Sequence, residues 1–260
     1  MLGAIIGDIV GSIYEFNNIR TKDFPFWGMK NYFTDDSVMT LAVAKALMAG
    51  GKAEDFVQSM QELGRLFPRA GYGGRFRHWL VDPNPKPYNS WGNGSAMRVS
   101  PTAWVGKTLE EVQNLAKASA EVTHNHPEGI KGAQATASAI FLARTGHSKE
   151  DIKNYIVKTY NYNLNFTIDE IRSTYQFNES CQDSVPQAIV GFLEGTDFVD
   201  TIRNVISIGG DCDTTGAIAG AIAEGFYGIP GGIAKKGLLY LPQSLRQIYD
   251  NFQNFLKVNS

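Results

Sequence analysis

The chain has 260 residues, of which 43% are hydrophobic and 19% are charged, and its formal net charge is −2. This length is sufficient to bury one hydrophobic core, and the composition excludes a disordered or low-complexity chain. The small net charge excludes bulk electrostatic attraction to nucleic acid or to an anionic membrane, so any role with nucleic acid would depend on a local site.

Helical periodicity runs along most of the chain. Apolar residues recur three and four positions apart in many segments, whereas alternating, strand-like segments are scarce. The helical segments are 2–14, 37–49, 53–67, 108–122, 128–145, 149–160, 184–194, 197–208, 216–228 and 243–256. Thr34, Thr108 and Asp197 stand at the starts of three helices and are suitable N-cap residues. We therefore predict an all-α protein that forms a compact single domain over residues 1–260.

Glycines are spaced four residues apart in two of these segments. Gly3, Gly7 and Gly11 fall on one face of the first predicted helix, and Gly216 and Gly220 share a face of a helix near the C-terminus. Because glycine has no Cβ, such faces predict close approach of helices. The four-residue spacing does not fit a dinucleotide-binding loop, which needs the pattern GxGxxG between a strand and a helix.

One long region breaks the helical pattern. Residues 68–93, PRAGYGGRFRHWLVDPNPKPYNSWGN, are dense in glycine, proline, asparagine and aromatic residues. Connectors of this length are uncommon in compact domains unless they have a function. We therefore predict a binding loop here, with an ordered surface loop as the alternative.

Two acidic clusters stand at predicted helix starts that are remote in sequence. Asp35 and Asp36 follow Thr34 in NYFTDDSVM, and Asp211 and Asp213 flank a cysteine in GGDCDTTG. One carboxylate at a helix N-terminus is explained as a cap, but two in one turn repel each other unless a cation offsets their charge. If the clusters converge, their oxygen ligands predict a site for one or two Mg²⁺ or Mn²⁺ ions, not for zinc. Two independent helix caps are the alternative.

The cysteines and the N-terminus indicate the compartment. Cys181 and Cys212 form neither a disulfide framework nor a CxxC motif, which fits a reducing compartment. The apolar N-terminal stretch lacks a basic region and carries Asp8 and Glu15, unlike a signal peptide. No uninterrupted apolar run of about 18 residues is present. We expect a cytoplasmic protein without a membrane span.

Four sequence blocks, in the same order along the chain, resemble the ADP-ribosylglycohydrolase family, which includes the dinitrogenase-reductase-activating glycohydrolase and the ADP-ribosyl-acceptor hydrolases. The blocks are FTDDSVMTLAVA, SWGNGSAMRVSP, EVTHNHPEGIKGA and GGDCDTTGAIAGAIAEGFYGIP. The similarity begins near residue 3 and extends to residue 230, which is most of the chain. Four ordered blocks are much more specific than any one of them.

The resemblance implies an all-α orthogonal helical bundle with two Mg²⁺ or Mn²⁺ ions. It assigns metal ligands to both acidic clusters, namely Thr34, Asp35, Asp36, Asp211, Asp213 and Thr214. It also assigns substrate-binding residues to a glycine-rich loop and a cleft histidine, namely Ser90, Trp91, Gly92, Asn93, Gly94 and His124. Backbone N–H groups in such a loop suit the pyrophosphate and adjoining ribose of ADP-ribose.

The resemblance further implies hydrolysis at the anomeric carbon of ADP-ribose. Metals that hold the ribose hydroxyls fix the sugar and make a water molecule more acidic, and a carboxylate then takes or gives a proton. Glu15, Asp36 and Asp213 are the candidate catalytic carboxylates. We favour Asp36 or Asp213 as the base and Glu15 as a residue that positions the substrate. Without the family, Glu15 would be read as a solvated helix end and His124 as a core residue.

We therefore expect a metal-dependent hydrolase that removes ADP-ribose from an acceptor and releases ADP-ribose as product. ADP-ribosyl-arginine on protein is the default substrate, while serine, a nucleic-acid base and a small molecule are other possible acceptors. A non-catalytic ADP-ribose-binding or structural protein on the same scaffold is the main alternative. An all-α terpenoid synthase is a weaker rival, because it prefers DDxxD, which this chain lacks after Asp35.

Overall fold

A computed structural model describes residues 1–259, and within this range helices dominate and no β-strand is present. A single isolated β-bridge joins Gly92 and Ser180. The helices are α1 (Leu2–Gly11), α2 (Asp35–Ala49), α3 (Ala53–Leu66), α4 (Gly74–Val81), α5 (Gly94–Met97), α6 (Thr102–Val105), α7 (Leu109–Glu121), α8 (Pro127–Arg144), α9 (Lys149–Tyr160), α10 (Ile168–Ile171), α11 (Val185–Glu194), α12 (Phe198–Ile206), α13 (Cys212–Tyr227), α14 (Gly231–Leu239) and α15 (Gln243–Asn259). A short 3₁₀ turn spans Cys181–Asp183. The predicted all-α fold is confirmed.

The predicted N-caps form at the ends where the sequence places them. The Thr34 side chain accepts a hydrogen bond from the Asp36 N–H, and Asp197 accepts one from the Asp200 N–H at 2.8 Å. Thr108 forms a reciprocal capping box with Glu111. These short-range contacts need no tertiary packing, which is why the sequence alone identifies them.

The prediction of a loop over residues 68–93 is wrong in part, because α4 lies inside it. Phe76, Trp79 and Leu80 share one helical face and are buried. The Leu80 side chain occupies the space beside Gly64 of α3, where a Cβ would overlap it. The helix therefore forms by burying a short apolar stripe against α3, a tertiary contact that outweighs the loop-like composition around it.

Helices α1 and α13 form the centre of the fold and cross in close antiparallel contact. A Cβ at Gly7 would overlap the carbonyl oxygen of Gly216, and a Cβ at Gly3 would overlap that of Gly220. The predicted close approach of the glycine faces is therefore confirmed. This contact sets the C-terminal end of α1 beside the N-terminus of α13.

The surrounding helices complete one continuous apolar core. Every residue of α1 is buried, whereas peripheral helices such as α3 and α15 bury only one face. Cys181 and Cys212 are both buried and free. Among residues 1–259, no helix has the length and apolarity that crossing a membrane requires.

Candidate active site

Carboxylates from three parts of the chain meet in one buried cluster. Oxygens of Asp8, Asp36 and Asp213 lie within 4.8 Å of one another, and so do oxygens of Glu15, Asp211 and Asp213. We name these five residues the carboxylate cluster. Asp213 belongs to both groups, so it joins the two acidic stretches that are remote in sequence. Their meeting follows from the packing of α1 against α13, with the start of α2 alongside.

Asp8 is a member that the sequence analysis missed. It is fully buried on α1, and its carboxylate accepts hydrogen bonds from the Thr34 N–H at 2.9 Å, the Thr34 hydroxyl at 2.7 Å and the Ser37 N–H at 3.1 Å. The Ser37 hydroxyl is a further donor. Asp8 thereby fixes the first turn of α2. The available sequence signal was a single charge in an otherwise apolar helix, since charged side chains are rarely buried without a partner.

The cluster contains more negative charge than its surroundings can neutralise. Burial and the nearby Asp213 raise the pKa of Asp8 to about 7, and burial together with Asp213 and Asp35 raises the pKa of Glu15 to about 8. Burial, followed by Asp213, also raises the pKa values of Asp36 and Asp211. Desolvation and like charge both disfavour the ionised carboxylate. The metal-free cluster therefore holds extra protons near neutral pH.

The arrangement fits hard divalent cations. The Oδ1 atom of Asp36 is buried without a hydrogen-bond partner, a state that is costly unless another group satisfies the oxygen. The hydroxyls of Thr34 and Thr214 each lie 3.4 Å from the other oxygen of Asp36. Carboxylate and hydroxyl oxygens converge at this point, and such ligands suit Mg²⁺ or Mn²⁺.

Asp35 occupies a different position from the other predicted ligands. It lies outside both converging groups of carboxylates and lines the adjoining cleft. Its N–H donates to the Ala70 carbonyl at 2.8 Å, and a Cβ at Gly71 would stand 3.0 Å from its Oδ1. Asp35 therefore faces the segment that leads into α4.

A cleft of about 270 Å³ opens above the carboxylate cluster. Five of the six predicted substrate-binding residues line it, namely Ser90, Gly92, Asn93, Gly94 and His124. Trp91 is the exception, because its half-exposed side chain lies outside the lining and packs edge-on against His126 with ring centroids 5.5 Å apart. The glycine-rich loop thus faces the cleft mainly with backbone and small side chains.

Asn93 links this loop to the carboxylate cluster. Its side-chain amide donates to Asp211 at 2.7 Å and to Ser184 at 3.0 Å, and its N–H donates to the Glu179 carbonyl at 2.7 Å. The loop and the acidic residues are therefore held in one fixed geometry. Such preorganisation is what a site needs to bind one ligand across both parts.

His124 has a defined hydrogen-bonding role beside this loop. Burial, and then the nearby Arg98, lower the pKa of His124, so its imidazole is neutral. The Thr123 hydroxyl accepts from Arg98 at 2.7 Å and lies 2.7 Å from Nδ1 of His124. We assign the Thr123 hydroxyl as the donor and Nδ1 as the acceptor, so the neutral imidazole carries its own proton on Nε2. A Cβ at Gly94 would stand 3.1 Å from Nε2, so the glycine keeps this donor accessible.

Arg98 is a second site residue that the sequence analysis missed. It is 1% exposed, lines the cleft and lies over the Phe76 ring at 5.6 Å. Its charge lowers the pKa of Asp35, although burial outweighs that effect and the pKa of Asp35 remains raised. The block SWGNGSAMRVSP contains one arginine and gives no sign of its role. In the structure Arg98 directly follows α5 and lines the cleft.

The raised pKa values predict that the metal-free protein loses stability as pH rises. Unfolded carboxyl groups ionise near pH 4, but Asp8 ionises at about pH 7 in the folded protein. The folded state therefore binds more protons between these values, and the free energy of unfolding falls across this range.

Thermal unfolding in EDTA between pH 5 and pH 8 would measure this effect. We expect the Tm to fall by about 5 to 10 °C across that range, and we expect saturating Mn²⁺ to remove most of the fall. A Tm in EDTA that rises between pH 5 and pH 8 would contradict the assigned direction.

The fold and this site together define an all-helical protein whose acidic cleft is suited to hard divalent cations. The chain belongs to the ADP-ribosylglycohydrolase family, because the sequence profile of that family matches residues 1–254. The predicted family is thereby confirmed. The family consists of ADP-ribosyl hydrolases, so the prediction of an enzyme of this class is confirmed as well.

Individual relatives support the same assignment over most of the chain. ADP-ribosylhydrolase ARH3 of Homo sapiens is 28% identical, across 88% of this chain and 84% of that protein. ADP-ribosylarginine hydrolase Tri1 of Pseudomonas putida is 26% identical, across 89% of this chain and 70% of that protein. A solved structure titled ADP-ribosylglycohydrolase-related protein complex superposes with a TM-score of 0.74 at 21% identity, covering 100% of this chain and 97% of that one, and it shares the fold.

Proposed function

We propose that this protein is a divalent-metal-dependent hydrolase that cleaves the glycosidic bond between ADP-ribose and an acceptor. One observation carries the proposal, namely that two groups of carboxylates share the buried Asp213 directly beneath a cleft lined by Ser90, Gly92, Asn93 and Gly94. A cation site and a loop suited to phosphate groups thus occupy the same cavity. This combination suits a substrate that has both a ribose and a pyrophosphate.

The metal site would use oxygen ligands from both acidic stretches. Asp36, Asp211 and Asp213 from the carboxylate cluster would hold two Mg²⁺ or Mn²⁺ ions, together with Thr34, Thr214 and the cleft-facing Asp35. When bound, the ions would supply positive charge that orients the ribose hydroxyls and increases the acidity of a water molecule. Asp8 would act mainly by positioning Thr34 and the first turn of α2, since its oxygens already accept several hydrogen bonds.

The chain's own carboxylates would carry the proton transfers. Asp36 and Asp213 are buried at the base of the cleft, where either could take a proton from the attacking water. Glu15 is only partly buried at the edge of the same cleft. That position suits a residue that orients the substrate and contacts the departing acceptor.

The remaining cleft residues would hold the ADP-ribose portion. The backbone N–H of Gly94 and the Ser90 hydroxyl, which accepts a hydrogen bond from the Gly92 N–H at 3.1 Å, would face the pyrophosphate and the adjoining ribose, and His124 would donate from Nε2. Arginine is the acceptor we propose, since the relative Tri1 is named as an ADP-ribosylarginine hydrolase. The assay should also include substrates in which ADP-ribose is attached to serine, to a nucleobase or to a small molecule.

A panel of ADP-ribosylated substrates tests the proposal. The wild type and Asp36→Asn would be assayed for release of ADP-ribose with Mg²⁺, with Mn²⁺ and with EDTA. We expect release by the metal-loaded wild type, a loss of more than about 100-fold in EDTA or in the variant, and recovery when metal is restored to the wild type. Release that is unaffected by chelation would contradict metal dependence, and tight ADP-ribose binding without turnover would identify a non-catalytic binder.

A further inference from the structure

Two exposed aromatic rings from distant parts of the chain face each other at the cleft. Phe16 is 76% exposed and Phe177 is 45% exposed, although large apolar side chains gain stability only when they leave water. Their ring centroids are 6.4 Å apart and their planes differ by 23°. This separation lies within the range of about 4.5 to 7 Å for a direct aromatic pair, so the two rings stack on each other and leave their exposed faces for another planar group.

The pair lies at the acceptor end of the proposed site. Phe16 directly follows Glu15, whose carboxylate lies with those of Asp211 and Asp213. Phe177 lines the cleft, and the neighbouring Gln176 carbonyl packs against Gly210, immediately before Asp211. The rings therefore stand on the solvent side of the carboxylate cluster. A group attached to the anomeric carbon of a ribose held by that cluster would leave the cleft past them.

Hydrogen bonds anchor both segments and so hold in place the backbone that carries the rings. Asn18 exchanges side-chain hydrogen bonds with the backbone of Gly210, at 3.1 Å to its carbonyl and 2.8 Å from its N–H. The Arg20 guanidinium donates to the carbonyls of Arg172 at 2.9 Å and Tyr175 at 2.8 Å. Anchoring of this kind reduces the entropy lost when a ligand is bound.

The charged residues nearest in sequence to the two rings are acidic, whereas the arginines that line the cleft, Arg75 and Arg98, lie on other segments. Glu15 and Glu179 both line the cleft on the two segments that carry the rings. Arg20 is the basic residue nearest to Phe16 in the sequence, and its guanidinium already donates hydrogen bonds to backbone carbonyls. Adenine is planar but neutral, so it would gain nothing from these carboxylates. A guanidinium group is planar and positively charged, and it stacks well on aromatic faces.

We propose that Phe16 and Phe177 form the acceptor-recognition site and select the guanidinium group of an ADP-ribosylated arginine. The proposal rests on the proposed function, because the position of the anomeric carbon follows from the metal site. It gives a specific role to two residues that lie outside the four sequence blocks by which the chain resembles the family. The rings would contact the guanidinium, while Glu179, which lines the cleft two residues after Phe177, would provide the opposite charge.

The test compares two linkages and measures binding as well as turnover. Phe177→Leu and Phe16→Leu keep apolar bulk but remove the ring, and Phe177→Tyr is the matched control that keeps it. Metal-loaded proteins would be assayed for kcat/KM on ADP-ribosyl-arginine and ADP-ribosyl-serine peptides. Calorimetry would give the Kd for ADP-ribosyl-arginine and for free ADP-ribose, using Ca²⁺ in place of Mg²⁺ if turnover interferes.

We expect each leucine variant to lose about 5- to 30-fold in kcat/KM and in affinity for the arginine conjugate. Free ADP-ribose binding and activity on the serine linkage should change less than about 2-fold, and Phe177→Tyr should resemble the wild type. Equal losses on both linkages, weaker binding of free ADP-ribose or no change at all would each overturn the proposal. A wild type that cleaves neither linkage would refute the proposed activity on arginine and serine conjugates, and the binding comparison would still decide the role of the rings.

Discussion

Asp213→Asn is expected to lower kcat/KM by more than about 100-fold, since loss of even an outer partner of a metal ligand commonly costs 10- to 100-fold. Asp213 is the one carboxylate that belongs to both groups of the cluster. The amide has nearly the same shape but removes the charge that two cations would share. Steady-state release of ADP-ribose with saturating Mn²⁺ would measure the loss.

The same substitution should stabilise the metal-free protein, which separates a functional loss from unfolding. The charge of Asp213 raises the pKa values of Asp8, Asp36 and Asp211, so its removal relieves repulsion within the cluster. We expect a Tm in EDTA that is higher by about 2 to 4 °C and a smaller increase on addition of Mn²⁺. Asp250→Asn is the matched control, because it makes the same chemical change at an exposed position on α15. Activity near that of the wild type in Asp213→Asn would refute its central role.

Gly7→Ala should destabilise the protein by about 3 kcal/mol or more, which corresponds to a Tm decrease of roughly 6 to 12 °C. The added methyl group would overlap the Gly216 carbonyl oxygen and the backbone that follows it. Side chains can rotate away from such an overlap, but two helix backbones can relieve it only by moving apart. Thermal or urea unfolding would measure the change.

Gly232→Ala provides a control for the glycine prediction. Gly232 lies near the start of α14, and a Cβ there would have no heavy atom within 4 Å. We expect a neutral effect or a gain of a few tenths of a kcal/mol, because alanine is the better helix former. Equal stability of Gly7→Ala and Gly232→Ala would show that the α1–α13 contact tolerates an increased separation.

The relation between the glycine contact and the active site has a simple structural basis. Gly11 packs against the backbone at Cys212 and Asp213, so the contact that joins α1 to α13 also places Asp8 near Asp213. A displacement of α1 would therefore alter the spacing of the carboxylates. For this reason Gly7→Ala should weaken metal binding as well as folding, and a Mn²⁺ titration of the folded fraction would reveal it.

The sequence by itself determined the features that depend on local chemistry. Helical periodicity, the caps at Thr34, Thr108 and Asp197, and the close-packing faces at Gly3 and Gly7 could be read from spacing alone. The four ordered motifs also identified the family. These features need only neighbouring residues, or a pattern repeated along one helix.

Only the tertiary structure decided how the distant parts meet. Asp8 gives no local sign of its partners, and it joins the carboxylate cluster because α1 crosses α13 at the glycine faces. Helix α4 forms in a segment rich in glycine and proline because Phe76 and Leu80 are buried. Phe177 faces Phe16 because hydrogen bonds anchor both segments near Gly210. Each of these outcomes depends on contacts between residues far apart in the chain, whose free energies are absent from any local sequence pattern.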